Sequence, residues 1–184
     1  MVKYYPRPSC QILGRFSYAT SIKNRIKSPV FNSVFFFYTP YQLMIVINPC
    51  RKMYWGSRGL SSKIEQANMD GSARTSLVSS GLLWVNSLSL DYQNRLLYWC
   101  DAYLDKIERV DLQGNNRVLI LDLSLDFLHP FGLALFGDAL YWSDWNSHNV
   151  HKYNMTTSLT EVVVQGMGTP MELHVYDQSK DFAG

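Results

Sequence analysis

One dipeptide constrains this chain of 184 residues more than any other feature. Tyr54-Trp55, Tyr98-Trp99 and Tyr141-Trp142 recur at intervals of 44 and 43 residues. Their surroundings recur with them. A little beyond each Trp comes an alternating segment: Lys63-Ile64-Glu65, Lys106-Ile107-Glu108-Arg109-Val110 and Asn149-Val150-His151-Lys152-Tyr153. A turn follows, Asp70-Gly71-Ser72, Gln113-Gly114-Asn115 or Asn154-Met155-Thr156-Thr157, and then an apolar run, Ser76-Leu77-Val78, Val118 to Leu121 or Val162 to Val164. Ahead of each Tyr-Trp lies a fourth short apolar run, Ile45 to Ile47, Leu88 to Leu90 and Leu133 to Leu135. Leu173-His174-Val175 starts the pattern once more. Period-two alternation punctuated by Gly, Asn and Asp predicts strands.

Each unit therefore reads as four short strands, and its length is that of one propeller blade. A single blade has two apolar faces and cannot bury both alone. Stacking blades around an axis buries them, and the fold class expected is all-β, a propeller of four-stranded antiparallel blades. Large paired rings fill the widening wedge between the outer parts of neighbouring blades. An acid just after them can accept backbone N–H bonds at a strand end. On this reading Tyr54, Trp55, Tyr98, Trp99, Asp101, Tyr141, Trp142 and Asp144 build the blades and carry no chemistry.

His129-Pro130-Phe131-Gly132-Leu133 followed by Tyr141-Trp142-Ser143-Asp144-Trp145, with Leu90-Asp91-Tyr92 leading into Leu97-Tyr98-Trp99, resembles the YWTD repeat of low-density-lipoprotein receptors and their relatives. WD-repeat proteins share the repeat length and lack this order of motifs. The resemblance covers residues 43–177 and implies a partial propeller, about three of the six blades that close a ring. Residues 1–42 are expected to be a non-repeat segment, disordered or foreign to the domain, and 178–184 a tail. The chain departs from the pattern where Gly56-Ser57 replaces the small residue and Asp, and where Cys100 replaces Thr or Ser. An incomplete ring leaves apolar blade faces open and invites self-association. The chain is accordingly expected to be a truncated piece of a larger receptor.

Charge is split along the chain. Residues 1–64 hold ten Lys or Arg and no acid, whereas residues 65–184 hold the other seven basic residues and all 15 acids, a net of 7 − 15 = −8. The overall +2 describes neither part, and it gives no nucleic-acid signal. Cys10, Cys50 and Cys100 are odd in number and widely spaced, which excludes a disulfide-dense mini-domain and gives no metal signature. The opening residues lack the continuous apolar stretch of a secretory signal, and the run from Val30 to Ile47 is too interrupted for a clear membrane span. A location on the extracellular face of a membrane, or secreted, is implied by the family resemblance alone.

Aligned repeats place Trp84, His129 and Thr169 in one column, Val85, Pro130 and Pro170 in the next, and Asn86, Phe131 and Met171 in a third. Residues that lead into an innermost strand sit at one mouth of the central channel, and bulky mixed side chains there suit a binding surface. In the family this resembles, that face takes peptide and protein ligands, so Trp84, Asn86, His129, Phe131 and Met171 are candidate contacts, with Trp145 beside them. The alternative is that Trp84 and Phe131 only plug the channel. His129, His148, His151 and His174 raise acid-triggered release, since histidine titrates near that pH. Asn154-Met155-Thr156 is a glycosylation acceptor in a predicted turn. The function expected is a ligand-binding propeller module of an endocytic or signalling receptor, without cofactor or metal. A purely structural fragment is the alternative. A propeller hydrolase fits less well, because the mouth columns hold only Asn86 and Glu172 as hard-cation ligands and no hydrolase or phosphate-loop motif occurs.

Overall fold

A computed structural model describes residues 42–47, 52–171 and 173. Twelve strands fall into three antiparallel sheets of four, each a meander in chain order. The first blade comprises β1 (Gln42–Ile47), β2 (Lys52–Ser57), β3 (Ile64–Asn68) and β4 (Thr75–Val78). The second comprises β5 (Val85–Asp91), β6 (Leu96–Asp101), β7 (Lys106–Asp111) and β8 (Val118–Asp122). The third comprises β9 (Pro130–Phe136), β10 (Ala139–Asp144), β11 (Asn149–Asn154) and β12 (Leu159–Val164). Apart from one 3₁₀ turn at Ser124–Asp126, the described residues hold strands and turns. Repeat and strand order agree with the sequence reading. The continuation Leu173-His174-Val175, the segment 1–41, the tail, Cys10 and Cys50 lie outside the described residues, apart from Leu173 itself.

Successive side chains of a strand point to opposite faces, and this explains the Tyr-Trp pair. Tyr54 joins Trp99 in the cluster between the first and second blades, with Ile64, Leu88, Leu97 and Val110. Tyr98 joins Trp142 in the cluster between the second and third, with Ile107, Leu133 and Leu140. Tyr54 and Tyr98 thus face the blade that follows, and Trp99 and Trp142 the blade that precedes. A dipeptide buries about twice the aromatic area a single ring could, one ring per interface.

The blades share their irregularities as well as their ladders. In β3/β4, β7/β8 and β11/β12 the register shifts at equivalent positions, after Ile64, Ile107 and Val150. Such a bulge bends a strand and increases its twist, so the same outer-edge turn is imposed three times. Pro130 stands first in β9, where a missing N–H costs the ladder nothing.

Inner strands of the second and third blades are joined by side-chain oxygens. Ser87 Oγ accepts from Leu133 N at 2.9 Å, and Ser89 Oγ accepts from Leu135 N at 3.0 Å. The Cys100 thiol, at the position the family motif gives to Thr or Ser, donates to the Phe131 carbonyl at 3.3 Å. Ser143, its equivalent one blade on, donates to the Met171 carbonyl at 2.8 Å and accepts from Gly132 N at 2.9 Å. The third position of the motif therefore reaches for the inner chain of whatever follows. Gly132 lets that chain come close, since a Cβ there would lie 2.6 Å from the Met171 oxygen and 2.7 Å from Leu173 N.

Candidate ligand-binding face

In a four-stranded meander the second-to-third connection and the segment leading to the next blade lie at the same end. That end carries the turns 58–63, 102–105 and 145–148 and the lead-in segments before β5 and β9. Asp101 organises the second of these. Its carboxylate accepts from Leu83 N at 2.7 Å and Trp84 N at 3.0 Å, in the lead-in to β5, and from Tyr103 N and Leu104 N at 3.1 Å in its own turn. Asp144 holds its turn through Asn146 N at 3.1 Å and Ser147 N at 2.7 Å, while its buried Oδ2 has no hydrogen-bond partner among the described residues. Ser57, standing where the motif has Asp, accepts from Lys63 N at 2.9 Å and so ties its own turn.

Trp84 is fixed from two sides. It pairs with Arg58 in an antiparallel bridge, next to a 2.7 Å bond from Gly59 N to Leu83 O, and its carbonyl accepts from Ala102 N at 3.0 Å. Its ring, 45% exposed, meets Tyr103 edge-on with centroids 5.3 Å apart. Trp145, 41% exposed, stacks on Phe131 at 4.4 Å, and the Arg58 guanidinium lies over the same Phe131 ring at 5.6 Å. A residue of the first blade thereby reaches the innermost strand of the third. Met171 is exposed at the same end.

The candidate residues separate by depth. Trp84, Trp145 and Met171 form an exposed apolar rim, and Tyr103 adds to it. Phe131 and Asn86 are buried beneath. Asn86 Nδ2 donates at 3.5 Å to Pro130 O, and its Oδ1 has no partner among the described residues. His129 stands at the margin with Nδ1 2.5 Å from Asp105 Oδ1. The other histidines do not join it: His148 Nδ1 lies 2.5 Å from Gly168 O, and His151 is stacked under Trp142 inside a blade interface. His174 and Glu172 lie outside the described residues. Among the described residues no group of three or more His, Cys, Asp or Glu could hold a metal ion.

Sequence reasoning missed Arg58 and Tyr103. The signal was available, because Arg58 occupies the column of Trp145, three residues after the motif Trp, and Tyr103 stands one place further on.

Turns tied by Asp101 and Asp144 thus carry an exposed aromatic rim over buried Phe131 and Asn86, and comparison with known proteins places the repeat. The family model described as low-density lipoprotein receptor repeat class B matches residues 95–136. The chain carries a low-density lipoprotein receptor class B repeat. It is 43% identical over 53 residues to the human low-density lipoprotein receptor-related protein 5-like protein, a stretch covering 29% of this chain and 21% of that one. The vitellogenin receptor of Solenopsis invicta is 43% identical over 51 residues, 28% of this chain and 3% of the receptor. The sortilin-related receptor of Oryctolagus cuniculus is 50% identical over 46 residues, 25% of this chain and 2% of that receptor. The chain thus matches about a fifth of the human relative and a few per cent of the two receptors. Among solved structures, one of a nidogen/laminin complex matches with a TM-score of 0.62 and 24% identity, covering 74% of this chain and 54% of that one. Regucalcin from Agrobacterium tumefaciens matches with a TM-score of 0.61 and 13% identity, over 71% of this chain and 48% of that one. These likenesses show the β-propeller fold. No helix among the described residues is long and apolar enough to cross a membrane, which leaves strand-built spans unaddressed.

Proposed function

We propose that the channel-mouth face binds a protein or peptide ligand, that the chain serves as an extracellular module of a receptor, and that it is not an enzyme. One observation carries the reading: Trp84, Tyr103, Trp145 and Met171 are exposed together at one end, the first three on segments tied by Asp101 and Asp144. Aromatic and Met side chains held on a rigid scaffold are what interface cores use as anchors. The receptor names of the relatives point the same way. Self-association is a further proposal, resting on the outward face of the first blade, where Trp55 is half-buried and Arg74 lies over it at 5.2 Å. Sedimentation of the whole chain tests it, and a monomer across a wide concentration range would remove it.

To test the binding face, a displayed library of random peptides is selected on the whole chain and the enriched peptides are titrated against Trp84→Ala and Trp145→Ala. Loss of one of these anchors should weaken binding by at least about tenfold, the scale of a hot spot. Enriched peptides that bind both variants as tightly as the parent would remove the mouth from consideration.

A further inference from the structure

At the end of the third blade opposite the mouth, the chain carries an acceptor tripeptide whose groups are already arranged. Asn154-Met155-Thr156 is the one Asn-x-Ser/Thr sequence in the protein with a residue other than Pro in the middle. It lies where β11 turns into β12. Asn154 Oδ1 accepts from Thr156 N at 2.9 Å and from Thr157 N at 2.8 Å, which fixes the amide and turns Nδ2 away from the backbone. Both Nδ2, at 3.2 Å, and the Thr156 hydroxyl, at 3.1 Å, donate to the same oxygen of Asp138. The amide nitrogen and the hydroxyl therefore converge on one exposed anionic oxygen. A transferase that recognises the hydroxyl and uses a carboxylate to take the amide proton needs those two groups side by side.

Equivalent turns in the other blades lack this arrangement. Asn68-Met69-Asp70 has Asp in the third place, and its Nδ2 donates to Ser72 Oγ at 2.8 Å. Asp111 fills the column in the second blade and accepts from Gln113 N at 2.9 Å. The surroundings of Asn154 also differ. It pairs with Leu159 at the start of β12, and β12 is exposed along all six residues, including Leu159, Val162, Val163 and Val164. An exposed apolar edge strand is a liability for pairing with other chains, and a bulky hydrophilic group at its base opposes that.

We propose that Asn154 is an N-glycosylation site. The proposal rests on the extracellular reading above, because the modification occurs in the secretory lumen. The donor is an oligosaccharide linked to a lipid diphosphate. A bond forms between Asn154 Nδ2 and the anomeric carbon of the first sugar, and the bond from that carbon to the diphosphate oxygen breaks. Nδ2 gives up one proton to a carboxylate of the transferase, and the lipid diphosphate leaves as the anion. The glycan stands at the end of the blade away from Trp84 and Trp145, so it leaves the mouth open.

The whole chain, preceded by a cleavable secretory signal and followed by a tag bearing a reporter acceptor sequence, is translated with microsomes. Treatment with an amide-cleaving N-glycosidase then counts the glycans. Two glycans are expected on the parent, one on Asn154→Gln and Thr156→Ala, and two on Thr156→Ser. A reporter that is modified on a parent chain bearing no second glycan would overturn the proposal. The peptide titration tests the mouth separately, so either idea can fail while the other stands.

Discussion

Between the first and second blades, Trp99 lies under the Arg117 guanidinium at 5.2 Å, and Arg117 grips Glu108, its partners at 2.9 and 2.7 Å. Arg117 also donates to the carbonyls of Ser80 at 2.6 Å and Gly81 at 3.0 Å, in the connection arriving from the first blade. Between the second and third blades the same positions hold different chemistry. Trp142 stacks on His151 at 5.0 Å, and His151 Nε2 lies 2.9 Å from Ser147 Oγ. One interface is thus sealed by an ion pair that staples two blades, the other by a neutral aromatic stack. The first blade repeats the ionic version on its outward face. Trp55 Nε1 donates to Glu65 at 3.2 Å, and Arg74 grips Glu65 at 3.0 and 2.7 Å. There the Arg74 side chain is 57% exposed, against 26% for Arg117. The repeat fixes the position and the apolar wedge, and the sealing chemistry varies around it.

Removing the wedge itself should have the largest effect. Trp99→Ala empties a fully buried site and takes away the surface on which Arg117 rests, so a loss of about 3–5 kcal/mol is expected from the urea midpoint. Trp142→Ala should fall lower in that range, since His151 can settle into part of the gap. Equal losses would mean that the clamp adds nothing to the wedge.

Arg117→Met sharpens the same contrast. It leaves the Glu108 carboxylate, 8% exposed, with Lys106 at 3.0 Å as its remaining salt-bridge partner, and frees two carbonyls of the connection. Stripping a partner from a largely buried carboxylate should cost about 2–3 kcal/mol. Arg74→Met removes the same kind of pair from solvent, where about 0.5 kcal/mol is the usual scale. If both variants lose the same stability, the staple to the arriving connection is not what distinguishes them.

Inner strands offer a second contrast. Ser87 and Gly132 share a column, and where Ser87 bridges to β9 by its hydroxyl, Gly132 lets the chain at Met171 and Leu173 lie directly against it. Gly132→Ala drives a Cβ into backbone atoms and should cost about 1–2 kcal/mol. Amide exchange at 171 and 173 should rise with it. Ser87→Ala strips a buried N–H of its acceptor and should cost about 1 kcal/mol without loosening that segment. Unchanged exchange in Gly132→Ala would show that the close approach does not hold the chain there.

The strands, their order and the two-faced Tyr-Trp pair were legible because each follows from local alternation, and each occurs three times. Asp101 was legible as a tie, although its partners in the connection before Trp84 became visible only in three dimensions. The Glu65–Arg74 and Glu108–Arg117 pairs, each nine residues apart, repeat in the sequence as plainly as Tyr-Trp does. They went unread because nine residues across a turn bring two side chains together only if the bulge falls where it does. The placement of Arg58 over Phe131 could not be read from the residues. It depends on how far each blade is rotated from the next, which no spacing within a blade encodes. Asn86 and Phe131 share a column with Met171 yet are buried where Met171 is exposed, a difference that alignment of the repeats does not encode.

The smallest expected effect separates the neutral stack from the outward ion pair of the first blade by pH. Burial holds the His151 imidazole below its ordinary pKa of 6.5, with the Asp144 charge pulling weakly the other way. In the unfolded chain that imidazole takes up a proton near 6.5, whereas the folded chain resists it until lower pH. Protons therefore bind preferentially to the unfolded state as pH falls through this window, and stability declines. The Glu65–Arg74 pair on the outward face of the first blade behaves otherwise. Hydrogen bonds from Arg74 hold Glu65 below its ordinary 4.5, so its contribution is complete above that value and is lost only as pH falls further. Between pH 6.5 and about 5 the parent should lose stability while His151→Gln stays flat. Arg74→Met should follow the parent there and differ only below about 4.5. A parent curve that is level from 6.5 to about 5 would mean that the Trp142–His151 stack accommodates a proton, and the distinction between a neutral and an ionic seal would fall.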